Sequence, residues 1–222
     1  MDIEIVKNYA PHIYYDKKEP FIPLRVGYTI LYESGISPSF DRYIEIKDTD
    51  FVIEYAIYWD FDIQHLFDLE HIWVHIDNKG NIVDCEASFH GKYIKALMKD
   101  RSNIEDKTHV RLYCQPGKHA FMPKAEYFYM IPNMYEVNDE KAGIDGLIVT
   151  EIGRGRYETN EKINKMVERC LRGYRFKPSM EFQMKNITDD MYVTWEELYV
   201  EIPELIKNKL EEINKKELGI KI

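Results

Sequence analysis

From Tyr55 to Asp77 the chain reads YAIYWDFDIQHLFDLEHIWVHID, with Asp62, His65, Asp68, Glu70, His71, His75 and Asp77 set between two runs of Val, Ile, Trp and Tyr. β-Branched and aromatic runs of this length read as strands. Residues two apart on a strand share a face, so Asp68 and Glu70 point the same way as Ile72, Val74 and Ile76. Carboxylates that enter an apolar layer need a cation, a proton or hydrogen-bond donors. A divalent metal is the economical candidate. The same residues also fit the wet start of a strand, with His71 and His75 on a solvated face, because 31% of the chain is charged.

A length of 222 residues suits one domain spanning 1–222. The 17 Tyr and 10 Phe, with Pro and Gly punctuating the first two thirds, favour a mainly β protein. We expect a β-sandwich core over 1–135 carrying the acid and histidine site, with loops and peripheral helices packing on it over 136–222. A net charge of −9 repels phosphate backbones, so nucleic acid is not an expected partner. Cys85, Cys114 and Cys170 are too few and too scattered for a disulfide framework. Reduced thiols, no secretory leader and no apolar run of membrane-spanning length predict a cytoplasmic protein. The initial Met running directly into strand-like residues argues against a trimmed signal.

Along the chain, YAPHIYYDKKEPFIPLRV reads as an extended entry segment in which His12 packs or hydrogen-bonds. Strands are predicted at 43–47, 50–59, 68–77 and 82–89, with an irregular loop at 60–67 and an Asp-Asn-Lys-Gly turn at 77–80. Ser88 and His90 fall at the end of one strand, and helical spacing predicts a short helix over 92–99. HVRLYC at 109–114 alternates as a strand and leads into a turn that presents His119. Six of the seven histidines lie between positions 65 and 119, which favours a common site. Gly153-Arg154-Gly155-Arg156 is a surface turn or an anion site. A helix after Thr159 should bury Ile163, Met166, Val167, Cys170 and Leu171. Thr194 and Glu197 form a capping box for a further helix, and Pro203 is expected to open another.

Taken together, YAIYWDFD, HLFDLEHIWVHIDN, SFHGKY and GKHAFMP resemble, in order and spacing, the necrosis- and ethylene-inducing-like proteins with their GHRHDWEH hallmark. His65, Asp68, Glu70 and His71 fall on its first His, Asp, Glu and last His. Leu69 stands where the hallmark has Trp, and Phe67 where it has its second His. Gly117, His119, Ala120 and Pro123 also match the GSHANYP motif of a vacuolar-sorting-related family, and the entry segment is similar to that family's. The resemblance covers about residues 9–123. It implies a β-sandwich with a divalent cation, Asp62 and Asp68 as direct ligands, and His65 and Glu70 binding directly or through water. His71, Ser88, His90 and His119 are then the expected ligand-contacting residues.

Carboxylates suit Mg²⁺, Ca²⁺ or Mn²⁺, while added imidazoles shift preference toward Zn²⁺ or Fe²⁺. The function expected is binding of a small polar ligand, such as a lipid headgroup, sugar or phosphate, at the metal. Two rivals are a metal-dependent hydrolase of an ester, phosphoester or glycoside, and an interaction protein with a vestigial site.

Overall fold

A computed structural model describes residues 2–219; Met1, on which the expected natural start rests, lies outside them. The chain opens with α1 (Asp2–Asn8), β1 (His12–Asp16), β2 (Arg25–Leu31), β3 (Gly35–Ile36) and β4 (Tyr43–Ile44). Its centre is β5 (Phe51–Phe61), β6 (His65–Ile76), β7 (Ile82–Phe89) and β8 (Lys92–Lys95), followed by β9 (Ile104–Glu105), β10 (His109–Cys114) and β11 (Phe121–Met122). The remainder carries α2 (Met134–Val137), β12 (Gly146–Leu147), α3 (Glu161–Arg172), β13 (Phe182–Met184), β14 (Tyr192–Thr194) and α4 (Trp195–Glu217).

The protein is mainly β, with helices at the periphery. One sheet runs β14-β2-β5-β6-β7-β8, with β12 also paired to β6; the other runs β11-β10-β1-β13, with β9 on β10. Ile13 and Tyr15 of β1, Leu112 of β10 and Phe121 share one hydrophobic core with Tyr55, Ile57, Trp59, Ile72 and Val74. Each large buried side chain contributes ~1.5–3 kcal/mol from its removal from water. The segment 136–222 does more than pack on this core, because β12, β13 and β14 are members of the two sheets.

Period-two alternation gives the central sheet two distinct faces. Ile57 pairs with Glu70, and Trp59 with Asp68, so both acids lie on the face shared with β1 and β10. The opposite face carries Val52, Glu54, Ala56, Tyr58, His71, Trp73 and His75. At one end α4 covers it so closely that a Cβ on Gly27 would lie 2.8 Å from Leu198 Cδ2. At the other end the β3–β4 hairpin covers Val52 and Trp73 with Ile44 and Phe40. There buried Glu54 accepts hydrogen bonds from Ser37, Ser39 and Trp73 Nε1, which staples the hairpin to the sheet.

Four local expectations need correction. Residues 2–8 are helical, since Asp2 and Glu4 occupy a first turn and Lys7 a last turn that favour those charges. The segment expected to be a helix from Lys92 begins as strand β8, which Phe89↔Lys92 pairing joins to β7 across His90 and Gly91. Both turn residues have positive φ, +51° and +73°, as a two-residue hairpin turn of the mirror-image type requires. The predicted loop at 60–67 shrinks to Asp62–Gln64. Finally, Pro203 lies inside α4 rather than opening a second helix. A proline there frees the carbonyl four residues back, and the Arg156 guanidinium donates to that Tyr199 carbonyl while stacking 4.0 Å over the Tyr199 ring. Arg154 pairs with Glu151, so both arginines of the Gly-Arg-Gly-Arg turn have internal partners.

Candidate functional site

The site forms where the central sheet splays. β6 pairs with β7 only from Ile72 to Ile76, while β12 takes the far end of the same edge at His65 and Leu66. In the gap, Ser88 Oγ replaces the ladder by accepting the His71 backbone N–H at 2.6 Å and donates to the Glu70 carboxylate. Asp62 closes the β5–β6 hairpin through an Asx turn, its Oδ1 accepting Gln64 N–H at 2.6 Å. The β10–β11 turn comes across from the other sheet. Its Gly117 carbonyl accepts the Ile63 N–H at 2.8 Å, and its Gly117 N–H donates to Glu19 at 2.7 Å.

That turn delivers two cations to the acids. Lys118 Nζ lies 2.8 Å from Asp62 Oδ1 and 2.7 Å from Oδ2. His119 Nδ1 is 3.1 Å from Asp68 Oδ2, and its Nε2 is 3.7 Å from Glu19 Oε1. The imidazole stacks face to face on Trp59, with centroids 4.5 Å apart. His90, from the β7–β8 turn, has Nε2 2.8 Å from Gln115 Oε1. His65 Nε2 is 3.7 Å from Asp62. Phe67, His90 and His119 all have left-handed backbones, a strained state that costs ~1–3 kcal/mol each and clusters at functional sites.

Burial and charge set the protonation states. Burial of Glu70, helped by neighbouring Asp68, pushes its carboxyl up to about 8, so it holds a proton at neutral pH. Burial alone would keep His119 neutral, but the carboxylates of Asp68 and Glu19 outweigh that and lift it to about 10. Asp62 is pushed up by burial and held below the usual range by His65 and Lys118. Burial lowers His90. The floor of the recess is thus Asp62, Glu70, Ser88 and His119, all buried, while Asp68 (13% exposed), Lys118 (12%) and His65 (14%) reach solvent.

Of the expected site residues, the fold gathers Asp62, His65, Asp68, Glu70, Ser88, His90 and His119. His71 is a correction. It lies on the opposite face, stacked on Trp73 and against Phe40, where burial depresses it to about 3. One residue of strand separates it from Glu70, and that single step reverses its direction. A divalent ion on Asp62, His65, Asp68 and Glu70 does not fit the donors as they stand. Both Asp62 oxygens face an ammonium, Asp68 faces an imidazolium, and Glu70 carries a proton. Among the described residues no group of three or more His, Cys, Asp or Glu side chains is arranged to hold a metal ion. Sequence reasoning missed Lys118, Glu19 and Gln115. Lys118 was visible inside GKHAFMP, at the position where GSHANYP has serine; Glu19 carried no signal.

No family model matches the chain, and no curated protein matches it significantly. Among solved structures it is similar to NLPPya in complex with glucosamine, at 18% identity and a TM-score of 0.38 over 55% of this chain and 66% of that one. It is also similar to Necrosis and Ethylene inducing Protein 2 from the causal agent of cocoa's Witches Broom disease. That match has 19% identity and a TM-score of 0.39 over 61% of this chain and 79% of that one. The chain thus spans just under two thirds of the first of these.

Proposed function

We propose that the recess at the splayed end of the central sheet is a binding site for an uncharged, hydroxyl-rich ligand of the sugar class. The carrying observation is Asp68, a partly exposed carboxylate at the mouth of a buried polar floor, with the Lys118 ammonium and the His65 and His90 rings beside it. A carboxylate accepts from adjacent hydroxyls, and neighbouring donors return hydrogen bonds to the same groups. Asp62, Asp68 and Glu19 outnumber Lys118 and His119 by one charge, which disfavours a phosphate. Nuclear magnetic resonance titration with neutral monosaccharides, and with vesicles carrying glycosylated lipid, tests the reading and separates a free sugar from a headgroup. Shifts confined to Asp68, Lys118 and His90 that vanish in Asp68→Asn support it. Unshifted spectra at high millimolar sugar, with no vesicle binding, defeat it.

A second reading is hydrolysis. Two neighbouring carboxyl groups whose surroundings drive their protonation apart are the usual basis of acid–base catalysis, and Glu70 holds a proton at neutral pH. Chromogenic glycosides and esters decide this reading: turnover lost in Glu70→Gln supports it. Among the described residues no helix is long and apolar enough to cross a membrane.

A further inference from the structure

We propose that the Lys118 ammonium is the resident cation of the acid recess, tethered to the chain in the role a divalent ion would otherwise fill, so that the recess works without metal. Lys118 Nζ bridges both oxygens of Asp62 at 2.7 and 2.8 Å, the position a cation takes on a bidentate carboxylate. The carboxylate is 1% exposed and the lysine side chain 12%, so each charge is desolvated against the other. A buried carboxylate stripped of its only close cation is the less stable alternative.

The backbone holds the ammonium there. Lys118 N–H donates to the Gln115 carbonyl at 3.1 Å, and Gln115 N–H to the Ala120 carbonyl at 2.7 Å. Gly117, at φ +70°, fits only without a side chain, because a Cβ would meet Asn138 Oδ1 at 2.0 Å. An arriving ion would have to expel a group fixed at both its backbone and its charge, then find further ligands. The remaining acids are occupied: Asp68 by His119 and Glu70 by Ser88. Gly117, His119, Ala120 and Pro123 keep the residues of the GSHANYP pattern, and the serine position alone between Gly117 and Ala120 has become a lysine.

The test is calorimetry and thermal unfolding of chelator-stripped protein with Mn²⁺, Ca²⁺ and Mg²⁺ chlorides. The wild-type chain is expected to give no binding heat and no shift in Tm at millimolar ion. Lys118→Met keeps the stem and removes the charge; it should have a lowered Tm, recover it with ion, and take up one ion per chain. Stoichiometric ion uptake by the wild type, or a folded Lys118→Met that gains no ion, overturns the proposal. Should Lys118→Met not fold, two measurements still decide. Lys118→Met/Asp62→Asn removes both charges and should fold and ignore ions. The wild-type Lys118 ammonium resonance should be retained and unmoved by Mg²⁺, whereas its displacement by the ion refutes the tether. The claim about ligand binding rests on the sugar reading above and is tested apart from it. Sugar-induced shifts should survive chelator. Their absence with an ion-blind wild type would sink the sugar reading and leave the tethered cation, while ion uptake by the wild type would do the reverse.

Discussion

Gly117→Ala tests how tightly the turn that carries Lys118 and His119 is clamped. The new methyl group meets two penalties. At φ +70° an L residue costs ~1–2 kcal/mol relative to glycine. Its Cβ would also lie 2.0 Å from Asn138 Oδ1 and 3.1 Å from Ile63. Asn138 is fully buried and its Nδ2 donates to the Met134 carbonyl at 2.9 Å, so it cannot swing aside without losing that bond. Overpacking of this kind adds ~1–3 kcal/mol, for a total of about 2–5 kcal/mol. Moving the turn instead would break the Ile63 and Glu19 hydrogen bonds to Gly117 and draw Lys118 off Asp62. Urea denaturation followed by tryptophan fluorescence measures the loss. Gly35→Ala is the control, since nothing lies within 4 Å of the added Cβ. A Gly117→Ala chain within about 1 kcal/mol of wild type would refute the clamped-turn reasoning.

Three further perturbations follow from the same contacts. Glu70 at about 8 and His119 at about 10 both titrate above their unfolded values of 4.5 and 6.5, so the folded chain binds the extra protons and stability falls as pH rises between those limits. Asp62 and Glu86, held below the ordinary range, remove stability only as pH falls through their own titrations, which puts the maximum on the acid side of neutrality, about pH 5. Glu70→Gln should therefore gain ~2–4 kcal/mol over wild type between pH 5 and pH 8, read by urea midpoints at each pH; a constant difference would remove the buried acid from the account. Glu54→Ala leaves the Ser37, Ser39 and Trp73 donors without their acceptor and should cost ~3 kcal/mol or more, with hydrogen exchange at residues 35–44 accelerating first. Unchanged exchange there would mean that the hairpin is held by Phe40 and Ile44 alone. Thr194→Ala removes the capping box of α4 and should lower stability by ~1 kcal/mol by the same denaturation assay, with no effect on the recess.

The parts of the fold legible in the sequence are those where one period dominates over many residues. β5 and β6 alternate for eleven and twelve residues, and α3 and α4 bury helical stripes, so both were readable. Residues 2–8 are too short to separate a period of two from one of 3.6. Lys92 to Met98 has apolar residues that fit a helix, but the left-handed His90-Gly91 turn commits the chain to a hairpin before propensity can act. The recess was legible as far as strand direction fixes it, which includes Asp68 and Glu70. His71 was misassigned because a contiguous motif was read as one cluster, although adjacent strand residues face opposite ways. Lys118 and Glu19 meet the acids through loops from the other sheet, and no local period encodes that meeting.

The recess shows why a dense acid motif in a strand does not by itself specify a metal. Three carboxyl groups share one layer, and each is stabilised by a different means: Asp62 by an ammonium, Glu70 by a retained proton and a serine hydroxyl, Asp68 by an imidazolium and its own neighbour's Leu69 N–H at 2.9 Å. These means are not equally complete. Asp62 and Glu70 are buried with their partners, whereas Asp68 keeps 13% of its side chain in water and has oxygen lone pairs unused. A ligand gains most by completing the group least satisfied and loses most by displacing a partner already desolvated. Asp68 is therefore the contact point and Asp62 the support, and the difference between them lies in the loop that brought a lysine to one and a histidine to the other.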